Sequence, residues 1–169
     1  MKMKIYIIGN AASGKSTLAE KLKEKIGIRV YHLDDLFWKI KYTEQYDISE
    51  KKNIVKKLTL TDEWIIEGSF TEEYISLLLD NADCIICIVP KSFFITLYRL
   101  GKRSLLRRLG GNSQESIKSF AEMIQWAWHN HKNRIFQGII REKHQQKTLF
   151  IDGSVDRNYD KILLFINLY

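Results

Sequence analysis

One eight-residue string constrains this chain more than any other. Gly9-Asn10-Ala11-Ala12-Ser13-Gly14-Lys15-Ser16 matches G-x-x-x-x-G-K-[ST] at every fixed position. An apolar, β-branched run, Lys4–Ile8, precedes it. Leu18, Ala19, Leu22 and Ile26 follow at helical spacing, and Gly27 reads as the stop. Strand, loop and helix are the context in which such a string folds back and points successive backbone N–H groups at phosphate oxygens. The glycines permit that backbone and leave room for a ligand. The helix then directs its positive end, about half an elementary charge, at the same spot. Gly9, Asn10, Ala11, Ala12, Ser13, Gly14, Lys15, Ser16 and Thr17 are therefore candidate nucleotide-binding residues. Lys15 can reach the β- and γ-phosphates, Ser16 can place its hydroxyl on Mg²⁺, and Thr17 lies near the α-phosphate.

The rest of the chain alternates in the same way. Strands are predicted at Arg29–Leu33, Glu63–Glu67, Cys84–Val89 and Thr148–Ile151. Helices are predicted at Ser49–Leu60 and Thr71–Leu79, capped by Ser49 and Thr71, and at Ser92–Leu109, Ser116–Arg141 and Asp156–Leu168. Gly110-Gly111-Asn112 breaks the long helical stretch. Several strands are apolar throughout, the signature of a parallel sheet covered on both faces. At 169 residues, with 45% hydrophobic and 28% charged residues, the chain suits one α/β domain. No apolar run approaches the ~18 residues of a membrane span. The basic start, Met1-Lys2-Met3-Lys4, leads into an apolar stretch too short for a signal peptide, so a cytoplasmic location is expected. Cys84 and Cys87 form a C-x-x-C, but inside a predicted strand residues three apart face opposite sides. Buried, reduced thiols are expected rather than a redox or metal pair.

Charge is unevenly placed. Net charge is +7, yet Lys91–Lys147 alone carries 12 Lys and Arg against 3 Asp and Glu, so the remainder of the chain is slightly acidic. Such a segment is either a solvated helical surface or a surface shaped for a compact polyanion. Within it Arg99, Arg103 and Arg107 recur at i, i+4 and i+8 and share one helix face, with Arg108 about 100° away.

Beyond the phosphate loop, further strings carry a resemblance. These are Tyr31-His32-Leu33-Asp34-Asp35-Leu36-Phe37-Trp38, Trp64-Ile65-Ile66-Glu67-Gly68-Ser69, the Arg99–Arg108 segment and Trp126-x-Trp128. Together they make the chain resemble the adenylate-kinase-like small P-loop kinases, and within them the bacterial topology modulation (FlaR-like) group. The resemblance implies a three-layer P-loop fold with a five-stranded parallel sheet in the order 2-3-1-4-5. It also implies one domain over residues 1–169, with an acceptor-binding segment near 36–62 and a basic lid near 99–134. Asp34 then sits by the acceptor hydroxyl, accepting its proton or holding a water on Mg²⁺. Glu67-Gly68 stands where similar kinases often have Asp-Gly. Glutamate is one methylene longer, so contact with the metal is expected through water rather than directly, and Gly68 lets an acceptor approach the backbone. Arg103 and Arg107 are the favoured lid arginines, with Arg134 a further candidate, and Gly153-Ser154 pass the edge of the donor base. Phe37 and Trp38, with Tyr42, Tyr46 and Phe70, either stack a planar acceptor or pack the core. His32, His129 and His131 read as structural or exposed.

The implied activity is a Mg²⁺-dependent transfer of the γ-phosphoryl of ATP (or GTP) to a small acceptor, first of all a nucleoside or nucleoside monophosphate. The alternatives are a sugar, hydroxy acid or vitamin acceptor, or a nucleotide-binding regulator affecting DNA topology. Specific nucleic-acid binding is not expected, since no helix-turn-helix or zinc module is visible. A monomer or homodimer is expected.

Overall fold

The computed structural model describes residues 2–169 except 41–43, 70–73, 90–91, 110–116, 134 and 153; the side chains of 107–109, 117–119, 132–133, 135–137 and 139 also lie outside the description. The strands are β1 (Lys4–Gly9), β2 (Val30–His32), β3 (Trp38–Ile40), β4 (Glu44–Gln45), β5 (Trp64–Glu67), β6 (Cys84–Val89) and β7 (Thr148–Asp152). The helices are α1 (Lys15–Ile26), α2 (Leu33–Leu36), α3 (Ile48–Thr59), α4 (Ile75–Asn81), α5 (Phe93–Leu109), α6 (Ile117–Asn133), α7 (Ile135–Lys143) and α8 (Val155–Ile166), with a 3₁₀ turn at Gln145–Lys147.

Five strands form a parallel sheet in the order β2-β5-β1-β6-β7. Numbered as the five strands expected from sequence, this is 2-3-1-4-5. The small antiparallel pair β3-β4 stands outside that sheet. Side chains alternate across the sheet and build a core on each face. On one face Tyr6, Ile8, Trp64, Ile66, Ile85 and Cys87 meet Leu33, Phe37, Val55, Leu78 and Ile140 from the α2, α3, α4 and α7 layer. On the other, Ile5, Ile7, Ile65, Cys84, Ile86 and Ile88 meet Leu18, Leu22, Val155, Ile162 and Ile166 from α1 and α8.

The two cysteines fall in different cores, as strand alternation requires. Burial pushes both thiols up to about 12. Helix α3 is capped by Asp47 rather than Ser49. The Asp47 carboxylate accepts from Glu50 N at 2.8 Å while the Glu50 side chain accepts from Asp47 N at 3.0 Å. This reciprocal pair satisfies two otherwise orphaned donors, which a serine two residues later does not. The Thr71 cap and the Gly110-Gly111-Asn112 break lie outside the described residues.

Parallel order brings the carboxyl ends of all five strands to one edge. Gly9, His32, Glu67, Val89 and Asp152 end there, the edge at which open α/β sheets bind ligands.

Candidate active site

At that edge the 9–16 loop is shaped by close packing. A Cβ on Gly9 would lie 2.4 Å from the Ile88 carbonyl oxygen of the neighbouring strand, so only glycine fits. Gly14 adopts φ 99° at the entrance to α1, and Ala12 also has a positive φ of 54°. The loop is tied on several sides. Ser69 Oγ donates to the Gly9 carbonyl. Asn10, 3% exposed, donates from Nδ2 to the Ala127 carbonyl of α6 at 2.8 Å and accepts from Ala11 N at 2.9 Å. Arg99 Nη1 donates to the Ala12 carbonyl at 3.4 Å. Ser16 and Thr17 remain exposed at the mouth.

Lys15 donates from Nζ to the Asn10 carbonyl at 2.9 Å. The side chain keeps some surface, but its ammonium is crowded by protein. Desolvation lowers its pKa, against the pull of Glu67 and Asp34 and with the help of Arg103. Asp34, in the first turn of α2, is exposed on its outer side. The cleft wall desolvates its carboxyl and raises the pKa. Lys15 opposes this, Glu67 and Asp35 reinforce it, and Arg103 opposes it. Lys15, Asp34, Glu67 and Arg103 thus form one electrostatically coupled group, drawn from the loop, α2, β5 and α5.

Glu67 is 4% exposed. Its Oε1 accepts from Ser16 Oγ at 2.9 Å and lies 2.7 Å from His32 Nδ1. His32 Nε2 lies 3.2 Å from Glu20 Oε1 on α1. Burial works against the charged His32 ring, but the hydrogen bond and charge of Glu67, with Glu20 and Asp35, outweigh it and raise its pKa. His32 thus has two carboxylate partners, Glu67 and Glu20, that its neighbours in sequence do not reveal. The pairing of His32 and Glu67 as neighbours in the β2–β5 register makes this contact.

Among the described residues no group of three or more His, Cys, Asp and Glu is arranged to hold a metal ion. The donors at the loop mouth are the Ser16 hydroxyl and the carboxylates of Glu67 and Asp34. This hard, all-oxygen set fits Mg²⁺, which keeps waters and takes one or two carboxylates beside substrate phosphates.

The remaining expected residues are placed unevenly. Arg103 joins the coupled group and donates from Nη2 to Met123 Sδ of α6 at 3.0 Å. Arg107 lies on α5, its side chain outside the description, and Arg134 and Gly153 lie outside the described residues. Ser154 occupies the N-terminal end of α8 without a side-chain cap. Gly68 is packed so closely on Leu33 that a Cβ would lie 2.7 Å from the Leu33 Cβ. Phe37 is fully buried and meets Tyr74 edge-on at 5.2 Å, so its ring belongs to the core and offers no stacking face here. Trp38 beside it is half-buried. Lys51, which periodicity alone did not single out, is 5% exposed, lies 5.7 Å from the centre of the Phe37 ring and donates to Gln45 Oε1 at 2.6 Å. Arg99 is the other residue that sequence spacing raised but did not favour.

No protein-family model matches this chain. It is 29% identical over 134 residues to an uncharacterized protein of Bacillus subtilis (strain 168), YqaC, covering 75% of this chain and 72% of that one. Its fold is shared with solved small-molecule kinases. A gluconokinase from Sinorhizobium meliloti 1021 aligns with TM-score 0.62 at 15% identity, covering 98% of this chain and 92% of that one. A sugar kinase from Janibacter sp. HTCC2649 aligns at 0.63 with 12% identity, covering 99% and 95%. A shikimate kinase from Aquifex aeolicus vf5 aligns at 0.56 with 17% identity, covering 98% and 96%.

Proposed function

We propose that this protein is a Mg²⁺-dependent phosphotransferase that moves the γ-phosphoryl of ATP to a hydroxyl of a small acceptor. One observation carries the reading. The phosphate-loop serine is hydrogen-bonded to the buried carboxylate of Glu67, and Lys15, Asp34 and Arg103 are electrostatically coupled around it.

In this reading the loop amides and α1 hold the β- and γ-phosphates. Lys15 exchanges its bond to the Asn10 carbonyl for phosphate oxygens. Asp34, with its pKa raised, accepts the acceptor proton as the new P–O bond forms and the bond to the β-phosphate oxygen breaks, releasing ADP. A raised carboxyl pKa brings this base nearer to neutral pH, where proton transfer is most effective. Arg103, with Arg107 and Arg134 as further lid candidates, spreads the charge that develops on the transferring group. Ser16 would hold Mg²⁺, with Glu67 or Asp34 reaching it through water. When bound, the ion would supply charge neutralisation for the phosphates. Gly153 and Ser154 keep their proposed place beside the donor base.

A nucleoside or nucleoside monophosphate remains one acceptor class, with Trp38 as its stacking surface. A sugar or hydroxy acid is the second reading. It is favoured by the burial of Phe37, which removes one expected stacking ring, and by the gluconokinase and shikimate kinase among the structural relatives. The topology modulation group and a regulatory role rest on the sequence strings alone.

The test is ADP release from Mg·ATP by the purified protein across nucleosides, nucleoside monophosphates, sugars and hydroxy acids, with Lys15→Ala as control. Stimulation by one class, lost in Lys15→Ala, is expected. Equal ADP release by wild type and Lys15→Ala with every acceptor would overturn the reading.

A further inference from the structure

We infer that His32 is a positioning residue that fixes the Glu67 carboxylate on Ser16, and that Glu20 in turn fixes His32; this rests on the phosphotransferase reading above. The four residues join three elements: Glu20 and Ser16, four residues apart on α1, His32 at the end of β2, and Glu67 at the end of β5.

Glutamate has three side-chain torsions, and holding such a chain in one rotamer costs entropy. At the end of β5 the Glu67 side chain has to be held in the rotamer that meets Ser16. His32 supplies the selection. A carboxylate can only accept, so Nδ1 donates to Oε1 at 2.7 Å, the oxygen that also accepts from Ser16 Oγ. Two donors on one oxygen set the plane of the carboxylate. Among the described residues the other oxygen, Oε2, has no hydrogen-bond partner, so it is available to a water or ion beside the phosphates. His32 could swing about its own side-chain torsions, and Glu20 at Nε2 prevents this. The ring is about a quarter exposed, whereas the Glu67 side chain is 5% exposed, so the support reaches a buried group from the rim of the site.

Residues that orient a metal-site ligand without touching the metal typically change metal affinity 10–100-fold when removed. The signature is a loss confined to the metal-dependent part of nucleotide binding. The experiment titrates a non-hydrolysable ATP analogue calorimetrically, with Mg²⁺ and with EDTA, into wild type, His32→Ala, His32→Gln, Glu20→Ala and Lys15→Ala, and records each melting temperature. Wild type is expected to bind more tightly with Mg²⁺. His32→Ala should lose about tenfold of that gain and keep its EDTA affinity. His32→Gln, which retains a donor, should recover part of it, and Glu20→Ala should lose less than His32→Ala. If His32→Ala does not fold, the Gln and Glu20 variants carry the comparison. A Mg²⁺ gain unchanged in these variants, or losses equal with and without metal that follow the melting temperature, would overturn the inference and leave the phosphotransferase reading standing. Lys15-independent binding by wild type with no Mg²⁺ gain would overturn both.

Discussion

Gly9 is held at the loop entrance by 2.4 Å of clearance between a hypothetical Cβ and a neighbouring carbonyl oxygen. Backbone, unlike a side-chain tip, cannot step aside. Gly9→Ala is expected to destabilise the fold by about 1–3 kcal/mol through overpacking, read by chemical denaturation, and to weaken nucleotide binding at the same time. Lys15→Ala removes the charge proposed to meet the phosphates and is expected to lower turnover by about 10²–10³-fold. It leaves the fold intact, since the bond lost is one amine to the Asn10 carbonyl. His32 gives a pH signature. It faces Glu67, Glu20 and Asp35, and its folded pKa is raised. The stability it contributes is therefore fully present below the unfolded value, near 6.5, and is lost as pH rises through the higher folded value. Comparing wild type with His32→Gln by denaturation across that window should show wild type losing its advantage with rising pH; an advantage that grew instead would contradict the assignment.

At the scale of elements, α3 offers the clearest independent check. Asp47→Ala removes the capping box and is expected to cost about 0.5–2 kcal/mol while leaving ATP affinity unchanged, because the capping contacts join Asp47 to Glu50 and involve no residue of the 9–16 loop. Sequence pattern was informative wherever an element was long. The α1 boundaries, Lys15–Ile26, and the β6 boundaries, Cys84–Val89, match the pattern residue for residue. The misses have physical reasons. α2 is only four residues long, so it shows no periodicity. β3 and β4 are three and two residues and mostly exposed, with little apolar alternation to read. The α3 cap was misplaced because both serine and aspartate can serve, and only the reciprocal Glu50 contact decides. The His32–Glu67 contact spans 35 residues of sequence. Strand order creates it, and the pattern gave each residue an address without giving the distance between them. The 9–16 loop, by contrast, is one contiguous stretch, so its glycines at 9 and 14 are legible there.

Across the whole molecule, two arginines of the basic segment, Arg99 and Arg103, reach the site at the sheet edge. Asn10 and Arg99 link the loop to α6 and α5, and Arg103 couples to Lys15 and Asp34. In the proposed reading the basic segment serves a compact phosphate ligand, and nucleic acid is not needed to explain it. DNA binding is expected to be weak and to vanish near physiological salt, measured as a salt titration of affinity. No described helix is long and apolar enough to cross a membrane. Phosphoryl transfer itself is followed by ³¹P NMR of the protein with Mg·ATP and a responsive acceptor. The γ-phosphate signal is expected to fall as a phosphomonoester on the acceptor grows in step, with both changes absent in Lys15→Ala. An unchanged γ-phosphate with every acceptor class, or inorganic phosphate alone formed at the same rate by Lys15→Ala, would contradict phosphoryl transfer.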